Sequence, residues 1–516
     1  MKFLQGRFAA ALSAAPVRGH AVFAAAMLAG SSALAQGAPT YSADVPAKIT
    51  TPDSTDTRIG TLTFNNGAPD DKTVELVYDN LDFMRGVEAF LTGISATSIR
   101  AACNGFETIG IKTNEGFGIT EDLMDAKSLF LTPNTTTVYG FTCFDLSKGP
   151  MVMEVPTGVL GPVDDADFRW VNDIGLTGPD AGKGGKYLFV PPGNTDAMPE
   201  TGYFVQKPRT NTLLLFFRAF VKDGDVAAAV AHVKAGTKVY PLSAADNPPQ
   251  TTFVNASGQQ FNTVSANDFS FYEELNEVVQ AEPADWVDPA TVGLFASIGI
   301  RKAQDFAPDE RMKKILTEAV AVGNATARTI YFATRYSSAK FYDDRQWFTP
   351  FIGGNYLFQD GAELLLDART LFFYATTGIT PAMALAKAGQ GSAYAMNVRD
   401  SNGDFFDGGK SYKVTLPGPI PAKDFWSFVV YDTQTRSLLE TDQKLAGVDS
   451  TDKALTLGAD GSATVWFGPK APEGQESNWV QTMPGKGYFL AFRLYGPLEP
   501  WFDKSWKPGD LEPVAE

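Results

Sequence analysis

The chain has 516 residues, with 59 acidic side chains against 43 basic ones and a formal charge of −16. A chain this acidic does not hold a phosphate backbone or an anionic membrane through bulk electrostatics, so nucleic acid is not an expected partner. Its two histidines, His20 and His232, are too few for a His-rich zinc or iron site.

The amino terminus carries Lys2, Arg7 and Arg18, a short apolar core from Ala21 to Gly30, and the small-x-small triplet Ala33-Leu34-Ala35. This pattern predicts a signal peptide over residues 1–35, cleaved before Gln36. An apolar run this short does not span a bilayer, which takes ~20 residues. The expected product is soluble, without membrane insertion, in the periplasm or outside the cell. Cleavage removes three basic residues and no acidic one, which moves the charge from −16 to −19.

Residues 36–70 are polar and rich in Thr, Pro and Asp, and read as a flexible lead-in. From Val74 to Cys103 apolar residues recur at three and four, which predicts a helix. Strands are expected at 137–143, 151–155, 187–190 and 213–220, within an N-terminal β module over 71–240. His232 falls in a helical pattern at 225–234, and its expected role is that of a helix-surface or helix-end residue. Helical patterns at 270–280, 289–304 and 308–334 make residues 241–395 a helical linking block. Alternating strands at 412–416, 426–431, 463–467 and 488–495, with turns such as "LPGPIPA" and "MPGKG", mark a C-terminal β-sandwich module over 396–516. The fold expected is mainly β with helical insertions (α+β): two β-sandwich or jelly-roll-like modules joined by helices.

Cys103 and Cys143 are the only cysteines. In an oxidising compartment an even count suggests a disulfide, and two buried thiols are the alternative.

The stretch "GLTGPDAGKGGKYLFVPPG" (175–193) combines loosened backbone at Gly178, Gly182, Gly184 and Gly185 with Lys183 and Lys186. Such a loop suits a carboxylate, sulfate or phosphate; equally, it is a long turn ahead of a strand. It is not a P-loop, because no G-K-[ST] ends it and no helix follows. Just upstream, Arg169, Trp170 and Asp173 offer a guanidinium, an apolar platform and a carboxylate, the chemistry of a sugar or carboxylate site or of an ion pair at a strand edge. Asn134 and Tyr139 in "TPNTTTVYGF" read as a turn residue and a packed strand residue. Asp400, Asn402 and Asp404, with Asp407, have oxygens spaced as in calcium loops, although Phe405 stands where an EF-hand needs Gly and no Glu closes the loop. A hairpin turn explains the same residues. No cofactor other than calcium is suggested. The stretch 345–369, with Arg345, Trp347, Tyr356, Asp367 and Arg369, joins the helical block to the second module, and a seam is a common ligand location.

"LTPNTTTVYGFTCFDLSKGPMVMEVP", "GPDAGKGGKYLFVPPG" and "FFYATTGITPAM" resemble a bacterial family of paired domains of unknown function, 1254 followed by 1214. "FWSFVVYDTQTRSLLETDQ", "DGSATVWFGPKAP", "NWVQT" and "AFRLYGPLEPWF" extend the resemblance from about Val74 to Pro508. The resemblance implies two β-sandwich modules with helical insertions, often exported, and no particular activity or catalytic residue.

Three functions fit. The first is binding of a small polar, anionic or carbohydrate-like ligand at the first module or the seam, through Arg169, Trp170, Asp173, Lys183 and Lys186. The second is a structural or assembly module of the cell envelope, using the sandwich faces for contacts between copies. The third is a glycoside-type hydrolase working through two carboxylates, which 59 acidic residues leave unselected. No G-x-S-x-G marks a serine nucleophile.

Overall fold

The computed structural model describes residues 44–515. The leader assigned to residues 1–35, its cleavage point before Gln36 and His20 lie outside them.

The chain divides after Thr73. In the first unit, β1 (Ser54–Thr57), β2 (Gly60–Asn65) and β3 (Ala68–Pro69) form a three-stranded antiparallel sheet. The lead-in expected to be flexible therefore carries regular structure from Ser54 onward. Its tight turn is Asn66-Gly67, both at positive φ, the sequence signature of a two-residue hairpin.

The second unit, Val74–Glu516, takes in nearly all of helix α1 (Asp71–Thr108). There follow β4 (Gly116–Ile119), β5 (Ser128–Leu129), β6 (Thr137–Asp145), β7 (Met151–Val155), β8 (Leu160–Asp165), β9 (Trp170–Gly175), β10 (Gly185–Phe189), β11 (Phe204–Gln206) and β12 (Thr212–Phe220). Next come α2 (Val226–Gly236), β13 (Lys238–Pro241), β14 (Thr252–Asn255), β15 (Phe261–Asn262), α3 (Ser270–Ala281), α4 (Pro289–Ser297) and α5 (Glu310–Phe332). A small hairpin of β16 (Gln359–Asp360) and β17 (Glu363–Leu364) precedes α6 (Leu366–Ala375) and α7 (Pro381–Ala384). The chain closes with β18 (Ser392–Asn397), β19 (Tyr412–Leu416), β20 (Ala422–Asp432), β21 (Gly447–Asp449), β22 (Ala463–Gly468), β23 (Trp479–Gln481), β24 (Tyr488–Pro497), α8 (Glu499–Phe502) and β25 (Glu512–Pro513). Helix starts follow capping chemistry: Asp225 accepts from Ala228 N at 2.9 Å, and Asp309 accepts from Met312 N at 2.8 Å.

The fold is mixed α and β. A six-stranded sheet, β14-β4-β6-β12-β8-β9, and a four-stranded sheet, β11-β10-β7-β13, share one apolar cluster with α2. Two further four-stranded sheets, β18-β24-β20-β21 and β23-β22-β19-β25, share a second. The largest cluster lies between these halves. It joins α1, α3, α5 and α6 to β6 and β12 on one side and to β20 and β24 on the other. Helices α1 and α5 meet closely where a Cβ on Gly86 would stand 2.7 Å from Ala319 Cβ. The helices are thus a shared core layer rather than a linker between independent modules. Strands β14 and β15, inside the segment expected to be helical, pair in parallel with β4 and β5. Cys103 on α1 and Cys143 on β6 form a disulfide inside the shared layer.

Candidate functional site

The site grows from strand alternation. On β12, Leu214 and Phe216 face the helical layer, so Arg218 follows on the same face. On β24, Phe489 and Ala491 face that layer from the other side, and Arg493 is next in line. Each arginine sits directly across an antiparallel ladder from a tyrosine, Arg218 from Tyr139 and Arg493 from Tyr394. All four line one cavity that opens to solvent at its mouth. Exposed Thr177 marks that mouth, while Arg493 is 4% exposed.

Among the described residues no Asp or Glu lines the cavity. Arg493 Nη2 donates to Thr132 O at 3.0 Å and to Tyr431 Oη at 2.7 Å, both neutral acceptors, and its Nη1 has no partner. Burial raises the Tyr139 and Tyr495 hydroxyls above their ordinary value, so no phenolate balances the guanidinium at neutral pH. A guanidinium stays protonated. Thr132, whose carbonyl receives Arg493, is a β-branched residue held at φ 42°, a strain that clusters at functional sites.

Two buried carboxylates fasten another wall. Asp164 Oδ2 accepts from Ile379 N at 2.9 Å, and Asp173 Oδ1 accepts from Thr380 Oγ1 at 2.5 Å and Trp170 Nε1 at 2.9 Å. Thr380 lines the cavity; neither carboxylate does. Burial pushes both carboxyls up, Asp164 well above the usual range.

The residues singled out from the sequence scatter. Asp173 and Trp170 bond to each other behind the cavity wall, with Trp170 edge-on to Tyr356 at 5.5 Å. Arg169 Nε donates to the buried Asp165 at 2.8 Å. Lys183 is exposed, and Lys186 pairs with Glu154 at 3.4 Å on the neighbouring strand β7. None of these five lines the cavity. The glycine loop does cradle a carboxylate, but that carboxylate is its own: Asp180 accepts from Gly175 N at 2.8 Å, Gly184 N at 2.9 Å and Tyr187 Oη at 2.5 Å. Asp400 Oδ1 is similarly occupied by Asn402 N and Asp404 N of its own turn, and Asn402 and Asp404 are exposed. Among the described residues no group of three or more His, Cys, Asp or Glu is placed to hold a metal ion. His232 is exposed on α2, 2.8 Å from Thr157 O. From the seam stretch, Arg369 pairs with Asp167 at 2.8 Å, and only Pro350 and Phe351 reach the cavity.

Asn134 and Tyr139, read as turn and packing residues, do both line it. Asn134 Oδ1 caps its turn by accepting from Thr136 N and Thr137 N, and Asn134 N donates to Tyr139 Oη at 3.0 Å. Sequence reasoning passed over Arg218 and Arg493. The signal was there: each is the one charged residue in an otherwise apolar strand, "LLLFFRAF" and "YFLAFRLYGP", and an arginine without a carboxylate partner is rarely as buried as Arg493 for packing alone.

Residues 115–241 match the family described as protein of unknown function DUF1254, and residues 391–499 match protein of unknown function DUF1214. The crystal structure of the VPA0106 protein from Vibrio parahaemolyticus is similar at 16% identity and a TM-score of 0.52, over 84% of this chain and 100% of that one. A putative uncharacterized protein from Burkholderia cenocepacia is similar at 12% identity and a TM-score of 0.38, over 85% and 96%. No curated protein matches. The first likeness bears on the fold alone. Arg218 comes from the first matched region and Arg493 from the second, and the chain carries the two regions of unknown function in the order 1254, then 1214.

Proposed function

We propose that this protein binds a small anion in the cavity between its two family regions, held by Arg218 and Arg493. The carrying observation is a buried guanidinium, Arg493, with a free Nη1 and, among the described residues, no carboxylate along the cavity wall. Burying a charge without a counter-charge costs several kcal/mol, roughly, and an anionic ligand supplies the missing partner. This keeps the anionic ligand expected from the sequence and moves it from the glycine loop to the arginine pair. Export fits the same reading, because the leader pattern and the Cys103–Cys143 bond both suit an oxidising compartment.

Thermal-shift titration with acetate, benzoate, sulfate and phosphate tests it. A saturable rise in melting temperature is expected, with ~2.7 kcal/mol gained at a hundredfold excess over Kd. The rise should vanish in the Arg218→Met, Arg493→Met double variant. An equal rise in that variant overturns the proposal.

A further inference from the structure

We infer that the anion is the carboxylate of an amphipathic acid with an aromatic or branched aliphatic body, rather than a sugar acid or an inorganic anion. This rests on the anion-binding reading above and narrows it.

The cavity has two chemically distinct sides. Arg218 and Arg493 supply the charge. The apolar side is lined by Phe216, Phe351, Phe372, Met383 and Met396. Phe351 and Phe372 pack on each other at 5.1 Å between ring centres. Methionine and phenylalanine side chains accommodate an apolar body of variable outline.

Three of the hydroxyls around the cavity are already engaged as donors. Thr132 Oγ1 donates to Ala375 O at 3.0 Å, Thr376 Oγ1 to Phe372 O at 2.7 Å, and Thr380 Oγ1 to Asp173 at 2.5 Å. Asn134 Oδ1 is taken by its own turn. A polyhydroxyl ligand would bury hydroxyls against Phe216, Phe351, Phe372, Met383 and Met396, where each unsatisfied one costs about 1–3 kcal/mol. A hydrocarbon body gains instead from leaving water.

The headgroup follows from the free donors. Of the three guanidinium nitrogens of Arg493, Nη2 is engaged while the buried Nη1 has no partner, and the buried Asn134 Nδ2 on the same wall has none either. One carboxylate oxygen on Arg493 Nη1 and the other on Arg218 satisfies a planar two-oxygen anion.

Isothermal titration of the intact protein with benzoate, isovalerate, gluconate, sulfate and benzamide tests this. Benzoate or isovalerate should bind at least tenfold tighter than gluconate or sulfate, and benzamide, which lacks the charge, should not bind. Met383→Gln, at the half-buried edge of the cavity, should weaken the hydrophobic acids several-fold and leave sulfate binding unchanged. Gluconate or sulfate binding as tightly as benzoate overturns the amphipathic class while anion binding stands. Absence of binding by every anion overturns the anion-binding reading itself. Should Met383→Gln melt far lower than the parent without ligand, the ranking of acids on the unaltered protein still decides the question.

Discussion

Arg493 lies directly across an antiparallel ladder from Tyr394, with its guanidinium carbon 5.8 Å from the centre of that ring. Arg218 and Tyr139 make the same cross-strand pair in the other half of the molecule. Aromatic faces offset part of the cost of a buried cation, but a ring carries no net charge.

That shortfall gives the first prediction. Arg493→Met removes an uncompensated buried charge and keeps the side-chain volume. Its melting temperature without ligand should equal or exceed that of the parent, since replacing buried ionic groups by apolar ones is often neutral or stabilising. Its response to added anion should disappear. Differential scanning calorimetry with and without benzoate reads both effects, and a variant that melts lower and still responds contradicts the assignment.

The glycine loop yields a contrast. Asp180→Ala strips the acceptor from Gly175 N, Gly184 N and Tyr187 Oη, and should cost about 2–4 kcal/mol. Lys183→Ala with Lys186→Ala should cost under ~1 kcal/mol, because these side chains are exposed and the one pair formed, to Glu154, is near the surface. Urea unfolding of the two variants measures the difference. Equal losses would mean that the lysines hold the loop.

Reduction should weaken the fold. The Cys103–Cys143 bond closes a separation of 40 residues, for which the chain-entropy account gives about 4 kcal/mol. For a chain of this length that corresponds to a fall of about 4 °C in melting temperature. Cys103→Ser with Cys143→Ser should show the fall, and the denatured, unreduced parent should titrate no free thiol.

Stability should rise as pH falls from 7.5 to 5. Burial raises Glu282 from 4.5 to about 6 and Glu274 from 4.5 to about 7. Between pH 4.5 and 7 the folded chain therefore binds more protons than the unfolded chain. The contribution of the protonated forms is complete below pH 4.5 and is lost as pH climbs through 6 and 7. Glu282 is fully buried and accepts from Asn211 N and Thr212 N at 2.6 and 3.0 Å, and its share is on the order of 2 kcal/mol. Glu282→Gln should flatten the melting-temperature profile over this range; an unchanged profile would place the titration elsewhere.

Much of the secondary structure was legible because local patterns agreed with tertiary packing. β7 and β19 have the expected bounds, and α2 and α5 start at their capping aspartates. The lead-in misled because its threonines and aspartates look like solvent-exposed coil, whereas Asn66-Gly67 closes a hairpin. Residues 252–262 misled because parallel pairing with distant strands leaves no local period. The site was harder still. Lys183 and Lys186 drew attention as charge beside glycine, yet Asp180, five residues beyond Gly175, already filled the loop. Arg218 and Arg493 are 275 positions apart in sequence by their numbering, and only the shared core layer brings their strands to face one cavity.

That shared layer has a consequence for how the protein comes into being. A ribosome finishes residues 115–241 long before 391–499, and the early half then presents the face of β6 and β12, with Phe141, Leu214 and Phe216, to water until its complement arrives. Neither half owns the cavity, and a fragment ending anywhere between them has one arginine and no pocket. An anion held as proposed above would thereby report a chain synthesised through Arg493, and a copy truncated before it would fail to respond.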